Sequence, residues 1–64
     1  MTIYAKVGDG PQEQVRVIRK KKTPLPGESF AIRALSPRSA PDVAVKCTGI
    51  KQMSDYHLYM LERT

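Results

Sequence analysis

Cysteine and histidine are nearly absent from this chain of 64 residues, in which Cys47 and His57 are the single copies. One thiol excludes an intramolecular disulfide, the usual covalent link of small secreted domains. One cysteine and one histidine also cannot assemble a Cys/His zinc site. The lone thiol therefore favours a reducing compartment, and its place in an apolar strand phase predicts a small buried hydrophobe.

Long apolar runs are missing as well. The longest are a few residues, such as residues 58–61, far below the roughly 20 residues that cross a bilayer. The first residues show no apolar run of the kind found in signal peptides. We therefore expect no membrane partner and a cytoplasmic location.

Acidic residues are outnumbered. Six Asp and Glu face 11 Lys and Arg, for a formal charge of +5 and a pI near 9.7. Such an excess on a short chain raises the expectation of a polyanionic partner, above all DNA or RNA. A hydrophobic content of 41% with 27% charged residues favours a folded chain over a disordered tail. We expect residues 1–64 to form one small domain.

A catalytic site is not expected. A chain this short buries only roughly 60% of its unfolded surface, which leaves little room for a walled substrate cavity. The phosphate-loop spacing G-x-x-x-x-G-K-[ST] is absent, and the carboxylates show no D-x-D or E-x-x-H spacing. His57 is expected to be a surface or partly buried polar residue. The sequence therefore predicts a non-enzymatic protein without cofactor or metal.

Alternation of apolar and polar residues with a period of two predicts β-strands. The alternating segments are residues 2–7, 14–21, 29–35 and 43–52. Gly49 interrupts the fourth segment and predicts a bulge or bend. Residues 55–63 have two interpretations: a strand in a hairpin with residues 50–53, or a short helix capped by Ser54.

Five short segments joined by short turns predict an all-β fold. The expected architecture is a five-stranded antiparallel meander curled into an SH3-like or OB-like barrel, since curling buries one sheet face and removes edges. Because the core of so small a chain is thin, a homodimer is a further expectation.

Cations occupy the strand phase opposite the apolar one. They are Lys6, Arg16, Lys20, Arg33 and Lys46. In a meander we expect them to be lateral neighbours about 4.8 Å apart per strand, forming a stripe across the outer face. The acids Asp9, Glu28, Asp42 and Asp55 fall in predicted turns. Such a stripe costs stability unless a polyanion covers it; the alternative is that outward positions of a basic protein are simply often Lys or Arg.

Four consecutive cations lie at the end of the second segment, at Arg19, Lys20, Lys21 and Lys22. They are candidates for phosphate contacts, which would make affinity depend on salt. The alternatives are a solvated strand end that discourages edge-to-edge aggregation, or a nuclear-import signal.

Aromatic side chains are few, with three Tyr, one Phe and no Trp. Tyr4 shares the outer phase with Lys6 and is the candidate for stacking on a base. Phe30 is expected in the core, and Tyr59 is expected to pack rather than to stack.

The leading functional hypothesis is a nucleic-acid-binding small barrel without strong sequence specificity. Its predicted contact residues are Lys6, Arg16, Arg19, Lys20, Lys21, Lys22, Arg33 and Lys46, with Tyr4 stacking. The alternative is a small inhibitor or adaptor, of the phage or mobile-element type, that docks on a larger protein with an acidic surface. It would dock through residues 36–42 or by strand addition at an exposed strand edge. A structural role in a ribonucleoprotein is a third option.

Overall fold

The computed structural model describes residues 1–18 and 22–64, and within these ranges the chain forms five strands and no helix. The strands are β1 (Thr2–Val7), β2 (Gln12–Ile18), β3 (Ser29–Ala34), β4 (Val43–Gln52) and β5 (His57–Arg63). The predicted all-β class is confirmed, as are the bounds of β1 and β4. β2 begins two residues earlier than predicted, and β3 ends one residue earlier, at Ala34. The predicted contacts Arg19, Lys20 and Lys21 lie outside the described residues.

The five strands form a sheet that closes on itself in chain order, with β5 returning to β1. Four of the pairings are antiparallel, whereas β1 and β5 run parallel. The predicted antiparallel meander is confirmed for the consecutive strands, and the closing pairing of β1 with β5 is parallel. Its reason is parity: when an odd number of strands alternate in direction, the first and the last point the same way. Each strand therefore has a neighbour on both sides.

The last segment is a strand, so the helical alternative for residues 55–63 is wrong. β5 pairs with β4 on one side and with β1 on the other. A helix there would have left the facing backbone groups of both neighbours without partners, which is costly in a buried sheet. The predicted hairpin is confirmed, because Gln52 pairs with His57 across a turn closed by a 2.8 Å bond from Met53 N to Tyr56 O.

A register shift between Cys47 and Gly49 confirms the predicted bulge. Cys47 pairs with Leu61 and Gly49 with Met60, so one residue of β4 has no register partner on β5. This residue is Thr48, and its hydroxyl donates a hydrogen bond to the Met60 carbonyl at 3.2 Å. The bulge bends the longest strand, which helps a sheet of only five strands to close.

The core fills the inside of the ring with the apolar phases that the sequence predicts. Its buried residues are Ile3, Ala5, Val15, Val17, Ile32, Val45, Cys47, Tyr59 and Leu61, with Val7, Phe30 and Val43 packed against them. Most are small because the space inside five strands is narrow. Ala5 is the register partner of Tyr59, and such pairing of a small with a large side chain fills a narrow interior. The burial of Cys47 and Tyr59 and the packing of Phe30 are confirmed.

The segment between β2 and β3 is attached to the sheet. Pro24 is fully buried, and Gly27 N donates to the Cys47 carbonyl at 2.7 Å. Cys47 N in turn donates to the Glu28 carbonyl at 2.9 Å. The proline- and glycine-rich stretch therefore continues the pairing along β4, although it is not counted as a strand.

The described part of the chain holds no helix with the length and apolar character needed to cross a membrane.

Candidate functional site

Arg16 and Arg33 are direct neighbours on the outside of the ring. They are register partners in the β2–β3 pairing, and flanking residues Val15, Val17 and Ile32 point into the core. Because side chains alternate along a strand, both guanidinium groups project outward. Like charges directly opposite each other are destabilising, so this pair is a site where an anion would relieve repulsion.

The strand register does not place Lys6 and Lys46, the other described cations of the expected stripe, beside this pair. Arg16 pairs with Thr2, and Lys6 lies four residues further along β1, a displacement of about 13 Å. Lys46 lies four residues after Asp42, which directly precedes β4, and its register partners are Ser29 and Glu62. Among the described members of the expected lateral stripe, the structure therefore places one adjacent pair, with Lys6 and Lys46 displaced, while Lys20 lies outside the described residues. The neighbour of Lys46 on β5 is an acid, Glu62.

A third arginine completes a basic pocket at the end of β3. An open pocket of about 460 Å³ is lined by Arg16, Arg33, Ala34, Leu35 and Arg38; we call it the arginine pocket. Arg38 comes from the turn after β3, where Ala40 N donates to the Pro37 carbonyl at 3.0 Å. Three arginine residues thus line one concave surface.

One carboxylate partly neutralises the arginine pocket. Arg33 Nε donates to Asp42 Oδ1 at 2.7 Å, and both side chains are about two-fifths exposed. The bond uses Nε, and neither Nη atom of Arg33 has a hydrogen bond among the described residues. Arg16 and Arg38 likewise make no ion pair with a described residue. The pocket therefore carries two positive charges in excess.

Tyr4 lies beside Arg16 on the same outer face and is packed against a second tyrosine. Its ring centroid is 4.6 Å from that of Tyr56, with the planes tilted by 43°. Gln12 Nε2 donates to the Tyr56 hydroxyl at 2.7 Å and fixes that ring against the sheet. Tyr4 stays 39% exposed. The two rings form a small aromatic cluster that is partly exposed to solvent.

The arginine pocket and the tyrosine pair lie along one path over β1, β2 and β3. Tyr4 pairs with Gln14, so Arg16 is its diagonal neighbour at about 7–8 Å. Lys6 lies two residues beyond Tyr4 on the same face of β1, at about 7 Å. We call the set Lys6, Tyr4, Arg16, Arg33 and Arg38 the outer track. Within the outer track, Lys6 and Arg16 therefore lie on either side of the exposed Tyr4 ring.

Two components of the site were not predicted from the sequence. Arg38 lies within residues 36–42, which the sequence indicated only as a docking segment, although a short connection that must return to the sheet keeps its residues close to the end of β3. Tyr56 gave no comparable signal, because it meets Tyr4 only through the closing β1–β5 seam. The predicted contact Lys22 is exposed, and it follows the segment that lies outside the described residues.

The chemistry available at the outer track is anion binding and ring stacking. Cys47 is fully buried in the core and lies away from the track. His57 is exposed at the start of β5. Among the described residues, no group of three or more His, Cys, Asp or Glu side chains is placed to hold a metal ion.

Comparison of the chain with protein-family models, with curated proteins and with solved structures finds no match.

Proposed function

We propose that this protein binds nucleic acid without catalysis and without strong sequence specificity, using the outer track to contact phosphates and bases. The observation that carries the proposal is the convergence of Arg16, Arg33 and Arg38 on one open pocket with a single carboxylate. Guanidinium groups bind phosphate oxygens in a bidentate geometry. The net charge of +5 attracts a polyanion from a distance.

Several further expectations belong to the same proposal. The basic cluster Arg19, Lys20, Lys21 and Lys22 follows β2 in the sequence, and its four positive charges add to the attraction of phosphates. Lys46 makes a smaller, indirect contribution because it pairs with Glu62 outside the track.

The closed sheet serves as an SH3-like or OB-like platform, although its strands follow chain order, whereas an OB-fold is a Greek-key barrel. The protein acts in the cytoplasm, alone or as a homodimer.

The test is the dependence of affinity on salt. With a fluorescein-labelled single-stranded 15-mer of mixed sequence, the four track cations predict that log K falls with log[salt] with a slope of about −3, and contacts from the basic cluster would make the slope steeper. The measurement is fluorescence anisotropy between 20 and 300 mM NaCl, with DNA and RNA versions compared. A slope near zero, or no binding at 20 mM NaCl, would contradict the proposal.

The alternative function, a small inhibitor or adaptor, is favoured by one observation. Leu35 is 42% exposed in the lining of the arginine pocket, a combination that suits an acidic protein surface with an apolar residue at its centre. Docking by strand addition would require opening a seam, because every strand is paired on both sides. Purification from the host with and without nuclease separates the options. A stoichiometric protein that survives nuclease indicates the adaptor, and material lost with RNase indicates a ribonucleoprotein role.

Removing the one carboxylate of the arginine pocket is expected to strengthen binding. Asp42→Asn should raise the affinity for the labelled 15-mer about fivefold, because a charge that repels phosphate at roughly 4 Å costs about 1 kcal/mol in water. Stability should change by less than about 1 kcal/mol, since exposed ion pairs contribute little. The control is Glu62→Gln, which changes the net charge by the same amount but removes a carboxylate beside Lys46 instead of one at the arginine pocket. Equal gains from both variants would show that net charge alone, and not the pocket, governs binding.

A further inference from the structure

Tyr4 lies between Lys6 and Arg16 on the outer track and is packed against Tyr56, and this placement bears on the form of nucleic acid that the track accepts. Tyr4 is 39% exposed, with Lys6 on one side of it and Arg16 on the other. Tyr56 backs the ring at 4.6 Å and is itself held by Gln12. A ring supported from behind by a second ring loses little conformational freedom when a flat ligand stacks on its open face.

Stacking needs a base whose face is free. In a duplex the bases are stacked on one another, so a duplex lying on the track would offer phosphates to the arginines and leave Tyr4 uncovered. In a single strand the bases can turn away from the backbone and stack on an aromatic side chain, while the phosphates follow a cationic groove.

From this geometry we infer that the outer track selects single-stranded over double-stranded nucleic acid, with one base stacked on Tyr4 and the flanking phosphates bound by Lys6 and Arg16. The inference rests on the proposed function and names its substrate class. Every base of DNA or RNA has a π-face that can stack on a tyrosine ring, so the inference applies to both nucleic acids.

The experiment compares the full chain on labelled dT15, rU15 and a 15-bp duplex at 100 mM NaCl. We expect both single strands to bind about tenfold or more tightly than the duplex. Tyr4→Ala should weaken single-strand binding roughly fivefold or more, the loss of one stacked base, and leave duplex binding within about twofold. Tyr4→Phe keeps the aromatic face and should retain most of the affinity.

The control variant is Ile50→Ala, which removes an apolar side chain of nearly equal exposure, 38% against 39%, from a strand outside the track. It should leave all affinities unchanged. A second measurement needs no variant: the chain has no Trp, so its fluorescence comes from tyrosine alone, and dT15 should quench it while the duplex should not. A wild-type signal quenched by dT15 keeps the test valid even if Tyr4→Ala does not fold.

The outcomes separate the two proposals. If dT15, rU15 and the duplex all fail to bind at 20 mM NaCl, the proposed function fails and the selectivity with it. If single strand and duplex bind with equal affinity and the same salt dependence, and Tyr4→Ala changes neither, the proposed function stands and the inference of single-strand selectivity is overturned.

Discussion

The double variant Arg16→Gln/Arg38→Gln is expected to bind a single-stranded 15-mer about 30-fold more weakly than the wild type. Each arginine supplies a charge at the arginine pocket that no described residue neutralises. A phosphate at roughly 4 Å gains about 1 kcal/mol from each such charge even in water, so losing two costs about 2 kcal/mol. The slope of log K against log[salt] should fall in magnitude by about 1.4.

The matched control is Lys46→Gln/Lys51→Gln, which removes two exposed cations from β4, a strand that supplies no residue of the outer track. Both double variants have a net charge of +3, two below the wild type. We expect the control to lose about threefold or less in affinity, since distant exposed charges are screened within about 10 Å at 0.1 M salt. Equal losses of affinity in the two double variants would contradict a localised site. They would indicate that the basic residues of the whole surface, including Lys46, contribute alike.

The second large effect is on stability: Leu61→Ala is expected to unfold much of the population at 37 °C. Leu61 is 2% exposed at the centre of the core and pairs with Val7 on one side and Cys47 on the other. Truncation of a buried leucine costs about 2–5 kcal/mol, whereas a chain of this size has a total stability of roughly 3–10 kcal/mol. The melting temperature measured by circular dichroism should fall by about 10 °C or more.

The comparison for this prediction is Leu25→Ala, the same substitution at a side chain that is 60% exposed. We expect the free energy of unfolding to change by less than about 0.5 kcal/mol. A Leu61→Ala protein that melts within 3 °C of the wild type would show that the ring interior collapses around the missing atoms and that the core is less tightly packed than the burial indicates.

Much of the fold could be predicted from local pattern. Each of the first four strands alternates with a period of two, and burial of one side of such a strand leaves little choice about which side faces inward. Gly49 marked the bulge because a glycine inside a strand pattern is otherwise unfavourable. The last segment stayed ambiguous because Leu58 and Leu61 suit a helix as well as a strand, and only the pairing with β1 and β4 decides between them.

The candidate site was less predictable, because a site depends on register. The pattern placed Lys6, Arg16, Arg33 and Lys46 on the outer face, but no local signal states which residue of one strand lies beside which residue of the next. Register brought Arg16 beside Arg33 and placed Lys46 beside Glu62. The ion pair between Arg33 and Asp42 arises where β3 and β4 meet the intervening turn.

The sequence by itself determined the composition of the two faces of the sheet: a narrow interior of small apolar residues and a basic exterior. Only the tertiary structure decided that the exterior has a path of cations and tyrosines. The physical reason is that the sheet closes on itself, with β5 next to β1. Tyr4 and Tyr56 are 52 positions apart, and they meet because five alternating strands bring β5 back parallel to β1. The sequence alone shows that cysteine, histidine and acidic residues are scarce. The closed sheet determines which of the basic residues lie next to one another.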